Sequence, residues 1–415
     1  MSHAVLSTVG VLVQGLSRFA FTAFIGRFMG PSDLAHVSAW LALALVLSLL
    51  WPTGAGNAAS NFLARAIARG EDPSVSLRAI ERSFWTSCAI MVAAGVPVAV
   101  IWLGADWGDA IAVASLIVAY SGYIFTRGVQ VGLGRLLDTA IWDLVSAVTT
   151  TVLLVAVLLL DMSTVLLWPI VIGYGVFTAR VLLTAPRPTQ RQTVGPVGSR
   201  RIWHSISWNS VGLLASNGLI QFSMLYVFAV SPTVEAGLYA AAMSLATPAS
   251  MLSQAVSQVL LARFSHWSAT DTSSARRKFI RVMLGMTLLL AVIFAIVALC
   301  GSLILAIVFG PAYLAATTTL QVLLAAVFAF SVTLVANVYL LSTGQTVSAT
   351  IAALVGLVGG LATMALCAAV GLSGASSASL GVLSGYVITL LLTMTIALGT
   401  GGGRTYARWR ASPVE

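Results

Sequence analysis

Apolar stretches of roughly 20 residues recur along the whole chain, separated by short polar segments. A helix of about that length crosses the hydrocarbon core of a bilayer, and within lipid a helix satisfies its own backbone polar groups. The pattern therefore predicts an all-α polytopic membrane protein with about twelve transmembrane helices. The predicted spans are residues 4–27, 35–60, 82–103, 109–133, 140–160, 163–184, 203–230, 236–262, 280–309, 314–341, 346–370 and 377–399.

A polar segment interrupts this pattern in the middle of the chain. It reads APRPTQRQTVGPVGSRR, and its prolines, glycines and arginines are typical of a solvated linker. Apolar blocks of similar length lie on either side of it. We therefore predict an N-terminal six-helix bundle at 1–184, a cytoplasmic linker at 185–201, a C-terminal six-helix bundle at 202–400 and a cytoplasmic tail at 401–415.

The two blocks share a weak internal repeat. Pro31 is followed after four residues by Ala35, and Pro232 by Ala236, at the start of a predicted helix in each block. Each of these helices also carries two amide side chains four residues apart, a spacing that places them on one helical face. The pairs are Asn57 with Asn61 and Gln254 with Gln258. Since each block has an even number of helices, the halves are predicted to be related by an axis along the membrane normal.

The basic residues are distributed asymmetrically. If both termini are cytoplasmic, 18 of the 21 Lys and Arg residues lie in predicted cytoplasmic segments, and the outside loops hold Arg27. This positive-inside pattern fixes the predicted orientation. It also accounts for the net charge of +9 without nucleic acid as a partner. Arginine outnumbers lysine twenty to one, a usage associated with GC-rich bacteria, so we expect a multi-pass protein of a bacterial inner membrane.

Loop length and cysteine placement restrict the chemistry. The predicted external loops are too short for a catalytic domain, which argues against an enzyme. Cys88, Cys300 and Cys367 lie singly in apolar stretches, without the spacing of metal ligands. We therefore expect no metal and no cofactor, and we expect the functional residues to lie within the helical bundle.

Two segments resemble the polysaccharide transporter, or O-antigen flippase, family. GRFMGPSDLAHVSAW, which begins at Gly26, is similar to that family's junction of the first and second helices. FGPAYLAATTTLQVLLAAVFAFSVTLVANVYLLSTGQT, which begins at Phe309, is similar to its tenth helix and flanking residues. The family belongs to the multidrug/oligosaccharidyl-lipid/polysaccharide (MOP) exporter superfamily. The resemblance implies a fold like that of the multidrug (MATE) transporters and a role in cell-surface polysaccharide synthesis.

Arg18 is the first candidate for a binding residue. It lies near the middle of the first predicted span, too far from either surface to snorkel easily, and Gln14 lies one turn before it. Since a charge at this depth costs a few kcal/mol, it faces protein or water rather than lipid. One interpretation is that its guanidinium binds the diphosphate of a lipid-linked sugar. The other is a structural arginine bonded to neighbouring carbonyls or amides.

Arg127 has a nearer predicted partner. Arg127 lies eight residues before Arg135 and Asp143 lies eight after it, so a helical hairpin centred on Arg135 puts both at one depth. We predict that they form an ion pair, either structural or with a role in substrate binding or coupling. Asp143 is the only carboxylate predicted at membrane depth. This scarcity of acids favours an anionic substrate over a cationic one.

Further amides are candidates for binding sugar hydroxyls. Asn217 and Gln221 lie one turn apart in the seventh predicted span, at a depth similar to that of Gln14 and Arg18. They serve either the substrate or interhelical hydrogen bonds. The two repeat-related amide pairs and Asn337 are secondary candidates.

These features predict a flippase that moves a polyprenyl-diphosphate-linked oligosaccharide from the cytoplasmic to the outer leaflet by alternating access. Expected partners are this substrate, membrane lipids, and the polymerase and other proteins of polysaccharide assembly. One alternative is a multidrug or cation antiporter of the same superfamily. A membrane glycosyltransferase or glycan polymerase is an alternative from another class, although the short acidic-poor loops fit it badly.

Overall fold

The computed structural model describes residues 3–185, 196–251, 272–343 and 345–399, together with residues 253, 254, 256, 257, 260 and 264. This part of the chain is helical and contains no strand. Its α-helices are α1 His3–Phe28, α2 Pro31–Leu50, α3 Pro52–Ala68, α4 Pro73–Pro97, α5 Trp107–Gly132, α6 Leu136–Leu159, α7 Trp168–Thr184, α8 Pro196–Val230, α9 Thr233–Ala246, α10 Thr272–Leu299, α11 Gly301–Val308, α12 Thr317–Ser342, α13 Thr346–Ala369 and α14 Gly374–Gly399. A π-helical turn, Val98–Trp102, extends α4, and short 3-10 helices occupy Ser163–Val165 and Pro311–Ala316.

Ten helical segments of the described residues are long and apolar enough to cross a membrane, by length and composition. Each overlaps a predicted span, although some bounds differ by about ten residues. Of the two other predicted spans, 4–27 is helical as α1, and 236–262 falls partly outside the described residues. Large apolar side chains cover the outer faces, as with Ile101 and Leu299, which are 84% and 83% exposed. Such faces suit hydrocarbon and confirm the polytopic membrane class.

The predicted span 35–60 is wrong as a single helix. α2 ends at Leu50 and α3 begins at Pro52, with Trp51 between them at φ −148° and ψ −49°. Pro52 has no backbone N–H, and its ring disfavours a helical conformation in the residue before it. It therefore starts a new helix instead of bending a continuous one. Trp51 Nε1 donates to Ser83 Oγ at 2.8 Å, which holds the break against α4.

The predicted span 280–309 is also two helices. Cys300 separates α10 from α11 with φ −86° and ψ 1°. Gly301 follows directly and favours the interruption because glycine is a poor helix former. An added Cβ at Gly301 would lie 3.0 Å from the Leu320 side chain, which would have to shift slightly to admit it.

The chain forms two compact units, Met1–Ala240 and Ala241–Glu415. In the first unit α5 packs against α2, α3, α4 and α7, while α1 packs on α6 and α8 packs on α2 and α3. Residues 186–195 of the predicted linker and the predicted tail 401–415 lie outside the described residues. The division into two six-helix bundles stays a prediction.

Glycine permits the close contact of α3 and α5. An added Cβ at Gly128 would meet the backbone carbonyl of Gly56, and one at Gly132 would lie 2.9 Å from the carbonyl oxygen of Ala59. Backbones approach this closely only where side chains are absent or small. The contact fixes the C-terminal half of α5, which carries several of the candidate site residues.

The second unit uses the same device. α14 packs against α12 and α13, and an added Cβ at Gly356 of α13 would meet the hydroxyl of Thr389. An added Cβ at Gly381 would lie 2.9 Å from the carbonyl oxygen of Gly360. The glycines of α13 and α14 therefore permit close packing of the two helices.

Candidate functional site

The candidate site lies in the first unit, where α1, α5, α6 and α7 bring polar side chains together. α1 contributes Gln14 and Arg18, which are four residues apart and so lie on one helical face. This face is turned to α6, the neighbour on which α1 packs. Gln14 is buried and Arg18 is partly exposed.

Two tyrosine hydroxyls hold the Arg18 guanidinium. Nη2 of Arg18 lies 3.5 Å from the hydroxyl of Tyr120 on α5 and 3.4 Å from that of Tyr174 on α7. These donor–acceptor distances are at the long end for hydrogen bonds, so the contacts are weak. The guanidinium carbon also lies 5.3 Å from the centroid of the Tyr120 ring, a cation–π distance. The arrangement orients the cation while leaving other N–H groups available to a ligand.

Asp143 is the centre of a second, more tightly bonded group. Its side chain is fully buried, accepts from the Tyr123 hydroxyl at 2.8 Å, and lies 3.3 Å from Nε of Arg127. The predicted ion pair of Arg127 and Asp143 is therefore present, and both residues lie where a hairpin centred on Arg135 places them. The Arg127 side chain is 18% exposed. The charges of the pair are thus largely removed from solvent and compensate each other.

Gln14 links α1 to this second group. Its Nε2 donates to the backbone carbonyl oxygen of Asp143 at 2.8 Å. One turn earlier, Gly10 lies so close to α6 that an added Cβ would meet a carboxylate oxygen of Asp143. A side chain at Gly10 would therefore displace the carboxylate that pairs with Arg127. Gly10, Gln14 and Arg18 are spaced by four residues, so they form one continuous face of α1 against α6 and the tyrosines.

An aromatic wall joins the two groups. The rings of Tyr123 and Tyr174 have centroids 4.9 Å apart, and those of Tyr120 and Tyr174 are 5.3 Å apart. Phe177 packs edge-on against Tyr123 at 4.9 Å. The tyrosines of this wall place hydroxyls on Arg18 and on Asp143, the partner of Arg127.

The two arginines differ in their charge balance. Arg127 has a carboxylate partner, whereas in the described part of the chain the hydrogen-bond partners of Arg18 are neutral hydroxyls. Arginine remains protonated in proteins. The site therefore has a net positive charge centred on Arg18, because the charges of Arg127 and Asp143 cancel. An anion is the ligand that this balance favours.

The other amide candidates lie on α8, a different helix from those of the Arg18 group. Asn217 Nδ2 donates to Ser216 Oγ at 2.8 Å and to the Leu213 carbonyl at 3.4 Å, all within α8. The side-chain oxygen of Gln221 is buried without a hydrogen-bond partner. These contacts favour neither substrate binding nor interhelical hydrogen bonding. The role of Asn217 and Gln221 in binding substrate stays a prediction.

The secondary candidates are dispersed. Asn57 and Asn61 are both exposed on one face of α3, as the spacing predicts. Gln254 Nε2 lies 3.5 Å from Ser250 Oγ, and the side-chain oxygen of Asn337 is buried without a partner. Gln258 lies outside the described residues.

Tyr174 is the site residue that the sequence did not single out. Tyr120 and Tyr123 are weak candidates by sequence because tyrosines are more often interface or packing residues. The available signal was their position: all three tyrosines lie well inside predicted spans, where a hydroxyl needs a polar partner. An arginine on another helix, as Arg18 is for Tyr120 and Tyr174, is such a partner.

No protein-family model matches the sequence, and no curated protein sequence matches it. Solved structures do match. An inward-facing conformation of a multidrug resistance MATE family transporter of the MOP superfamily aligns with a TM-score of 0.76 and 12% identity, covering 99% of both chains. An outward-facing conformation of such a transporter gives a TM-score of 0.68, with 12% identity and coverage of 99% of this chain and 96% of the other.

A crystal structure of a eukaryotic MATE transporter gives a TM-score of 0.63 with 14% identity, covering 99% of this chain and 97% of that one. The alignments span the chain nearly end to end, which local helix similarity would not produce. At this low identity they establish the fold and not the substrate. The chain is a helical membrane protein with the MATE-like fold.

Proposed function

We propose that the protein is a flippase that moves a polyprenyl-diphosphate-linked oligosaccharide from the cytoplasmic to the outer leaflet of a bacterial inner membrane by alternating access. The observation that carries this proposal is the net positive charge at Arg18. A guanidinium that is held by two neutral tyrosine hydroxyls within a membrane bundle matches a ligand with phosphate oxygens. Transport and alternating access are in keeping with the MATE-like fold.

The diphosphate and the sugar are recognised by different chemistry. Arg18 offers planar N–H groups that fork onto two phosphate oxygens. Asn57 and Asn61 are exposed, and Arg65, four residues further along α3, is exposed too. This polar stripe on a helix of the membrane bundle offers donors and acceptors for sugar hydroxyls. We assign it the oligosaccharide, with the diphosphate at Arg18.

The driving force follows from the charge of the substrate. A membrane potential that is negative inside favours outward movement of an anion by about 2.3 kcal/mol per charge per 100 mV. The Arg127–Asp143 pair needs no net charge of its own for this scheme. It positions α5 and α6 and, through Gln14, the helix that carries Arg18.

The multidrug alternative draws support from the structural neighbours, which are described as multidrug resistance transporters. Organic cations are bound by acidic side chains or by aromatic rings. Asp143, the membrane-embedded carboxylate of the described site, is bonded by Arg127 and Tyr123. The charge of the site therefore favours the anionic substrate.

Reconstitution into vesicles tests the substrate class. The purified full chain is placed in liposomes with a fluorescent polyprenyl-diphosphate oligosaccharide, and a membrane-impermeant quencher reports its exchange between leaflets. The proposal predicts exchange that is faster than in protein-free vesicles and that responds to an imposed potential. Exchange at the protein-free rate, together with uptake of a cationic dye by the same vesicles, would support the multidrug alternative instead.

A further inference from the structure

A second binding feature lies on the outside of the first unit. An apolar groove of about 780 Å³ runs between α4, α5 and α7. Its lining includes Val92 on α4, Val118 on α5 and Val171 on α7. Trp85 of α4 also lines the groove and is 41% exposed. Gly175 leaves open space in it, since an added Cβ there would meet no atom within 4 Å.

The dimensions of the groove fit one lipid chain. Its α7 lining extends from Val171 to Leu182, which at 1.5 Å per residue is about 16 Å. That is about half of a hydrocarbon core of about 30 Å, the depth of one leaflet. Leu182 lies in the last turn of α7, close to its predicted cytoplasmic end. On α7 the groove therefore reaches from near the predicted cytoplasmic end to about the mid-plane, and its α5 lining, Ala114 to Ala119, extends it towards the predicted outer end of α5.

The groove is separate from the Arg18 site. At 100° of rotation per residue, the mean direction of the α5 lining residues is roughly 140° around the helix axis from that of Tyr120 and Tyr123, with Ala119 the nearest of them to the tyrosines. At the groove lining itself α5 and α7 pack closely, because an added Cβ at Gly122 would lie 2.8 Å from the side chain of Thr178.

The predicted cytoplasmic end of the groove has a positive charge. Arg82 lies one turn before Trp85 on α4, and Arg78 lies one turn before Arg82, so the three share a face. Both arginines are exposed. Tryptophan prefers the membrane interface, and arginines there attract anionic headgroups.

We propose that this groove binds one anionic phospholipid of the cytoplasmic leaflet, with an acyl chain against Gly175 and the headgroup phosphate on Arg78 and Arg82. The site is independent of the proposed transport function. The bound lipid fills the gap between α4 and α7 and so stabilises the helices that carry the aromatic wall.

Native mass spectrometry of the purified full chain tests the proposal, with phosphatidylglycerol and phosphatidylcholine as probes. Two headgroup arginines predict that one phosphatidylglycerol binds about 30-fold more tightly than phosphatidylcholine. The double variant R78Q/R82Q should abolish this preference. Gly175→Leu, which fills the groove, should lower the affinity for both lipids at least about tenfold.

Matched variants control for general effects. Arg69→Gln removes another exposed arginine, and Gly285→Leu fills another open glycine position in the second unit; both should bind phosphatidylglycerol as the wild type does. If Gly175→Leu does not fold, Ala179→Leu replaces it as the variant that fills the groove, because Ala179 is an exposed residue of the lining. Equal affinities for the two lipids, or unchanged binding in both filled-groove variants, would overturn the proposal. So would displacement of phosphatidylglycerol by a polyprenyl-diphosphate lipid at lower concentration, since the groove would then hold the substrate tail.

Discussion

Replacing Asp143 by Asn should destabilise the protein strongly. Asp143 is fully buried, and the Arg127 side chain is 18% exposed. Asparagine preserves the shape of the side chain but leaves the arginine without its carboxylate. Removing one partner of a buried ion pair typically costs about 3–5 kcal/mol, because the remaining charge is desolvated and uncompensated. Arg127→Gln should cost a similar amount for the same reason.

The paired change gives the sharper result. In R127M/D143L both charges are replaced by apolar side chains of similar volume, and such replacements are neutral or stabilising by about 1–4 kcal/mol. The double variant should therefore be more stable than either single variant. The coupling between the two sites is the quantity that identifies a buried pair.

Reversible unfolding of the purified protein in mixed micelles with increasing SDS measures these free energies. The chain provides its own control, since Arg69 and Glu71 form an ion pair at 3.9 Å with side chains 69% and 60% exposed. Glu71→Gln should change the unfolding free energy by about 1 kcal/mol or less. If Asp143→Asn is as mild as Glu71→Gln, or if the costs of the two single changes simply add, the pair does not stabilise α5 against α6 as argued.

Three further predictions follow from single positions. Gly128→Ala should destabilise the protein by about 1–3 kcal/mol, the usual cost of overpacking, because the added Cβ would meet the Gly56 carbonyl. Gly285→Ala, whose added Cβ meets no atom within 4 Å, should be tolerated. SDS unfolding compares the two variants, and equal effects would show that α3 and α5 are further apart. Tyr174→Phe removes one acceptor from Arg18 and should slow leaflet exchange about fivefold, which corresponds to about 1 kcal/mol; an unchanged rate would show that the hydroxyl does not orient the arginine. Asp72, which caps α4 by accepting from the Ser74 N–H at 2.9 Å, has a lowered pKa because Ser74 hydrogen-bonds its carboxylate; its contribution to the first turn is thus present above the usual aspartate pKa and lost as pH falls through the lowered value, and amide exchange at Ser74 should show this loss in the wild type but not in Asp72→Asn.

The ion pair was predictable because the sequence encodes its geometry locally. Arg127 and Asp143 lie at equal distances from Arg135, and a hairpin of two membrane helices converts equal distance along the chain into equal depth. The long apolar runs determine the helices in the same direct way. Both inferences need only helical rise and the exclusion of charge from lipid.

The aromatic wall was less predictable from the sequence than the ion pair. Tyr174 meets Arg18 through the packing of α7 beside α5 and of α1 against α6, and no spacing within one helix reveals which distant helices are neighbours. The form of the interruption at Trp51 was left open for a different reason. A proline within an apolar run either bends a helix or starts a new one, and the Trp51 contact to Ser83 on another helix accompanies the second outcome here. Tertiary contacts thus decided what the local pattern left open.

Leaflet exchange by Arg18 variants tests the central claim most directly. Vesicles with the fluorescent polyprenyl-diphosphate oligosaccharide are prepared with wild type, Arg18→Ala, Arg18→Lys and the control Arg69→Ala, each at equal amounts of folded protein. If Arg18 binds the diphosphate, Arg18→Ala should slow exchange at least about tenfold, the equivalent of about 1.4 kcal/mol. Arg18→Lys should be intermediate, because it keeps the charge but loses the planar fork, and Arg69→Ala should match the wild type. Exchange by Arg18→Ala at the wild-type rate would contradict the account.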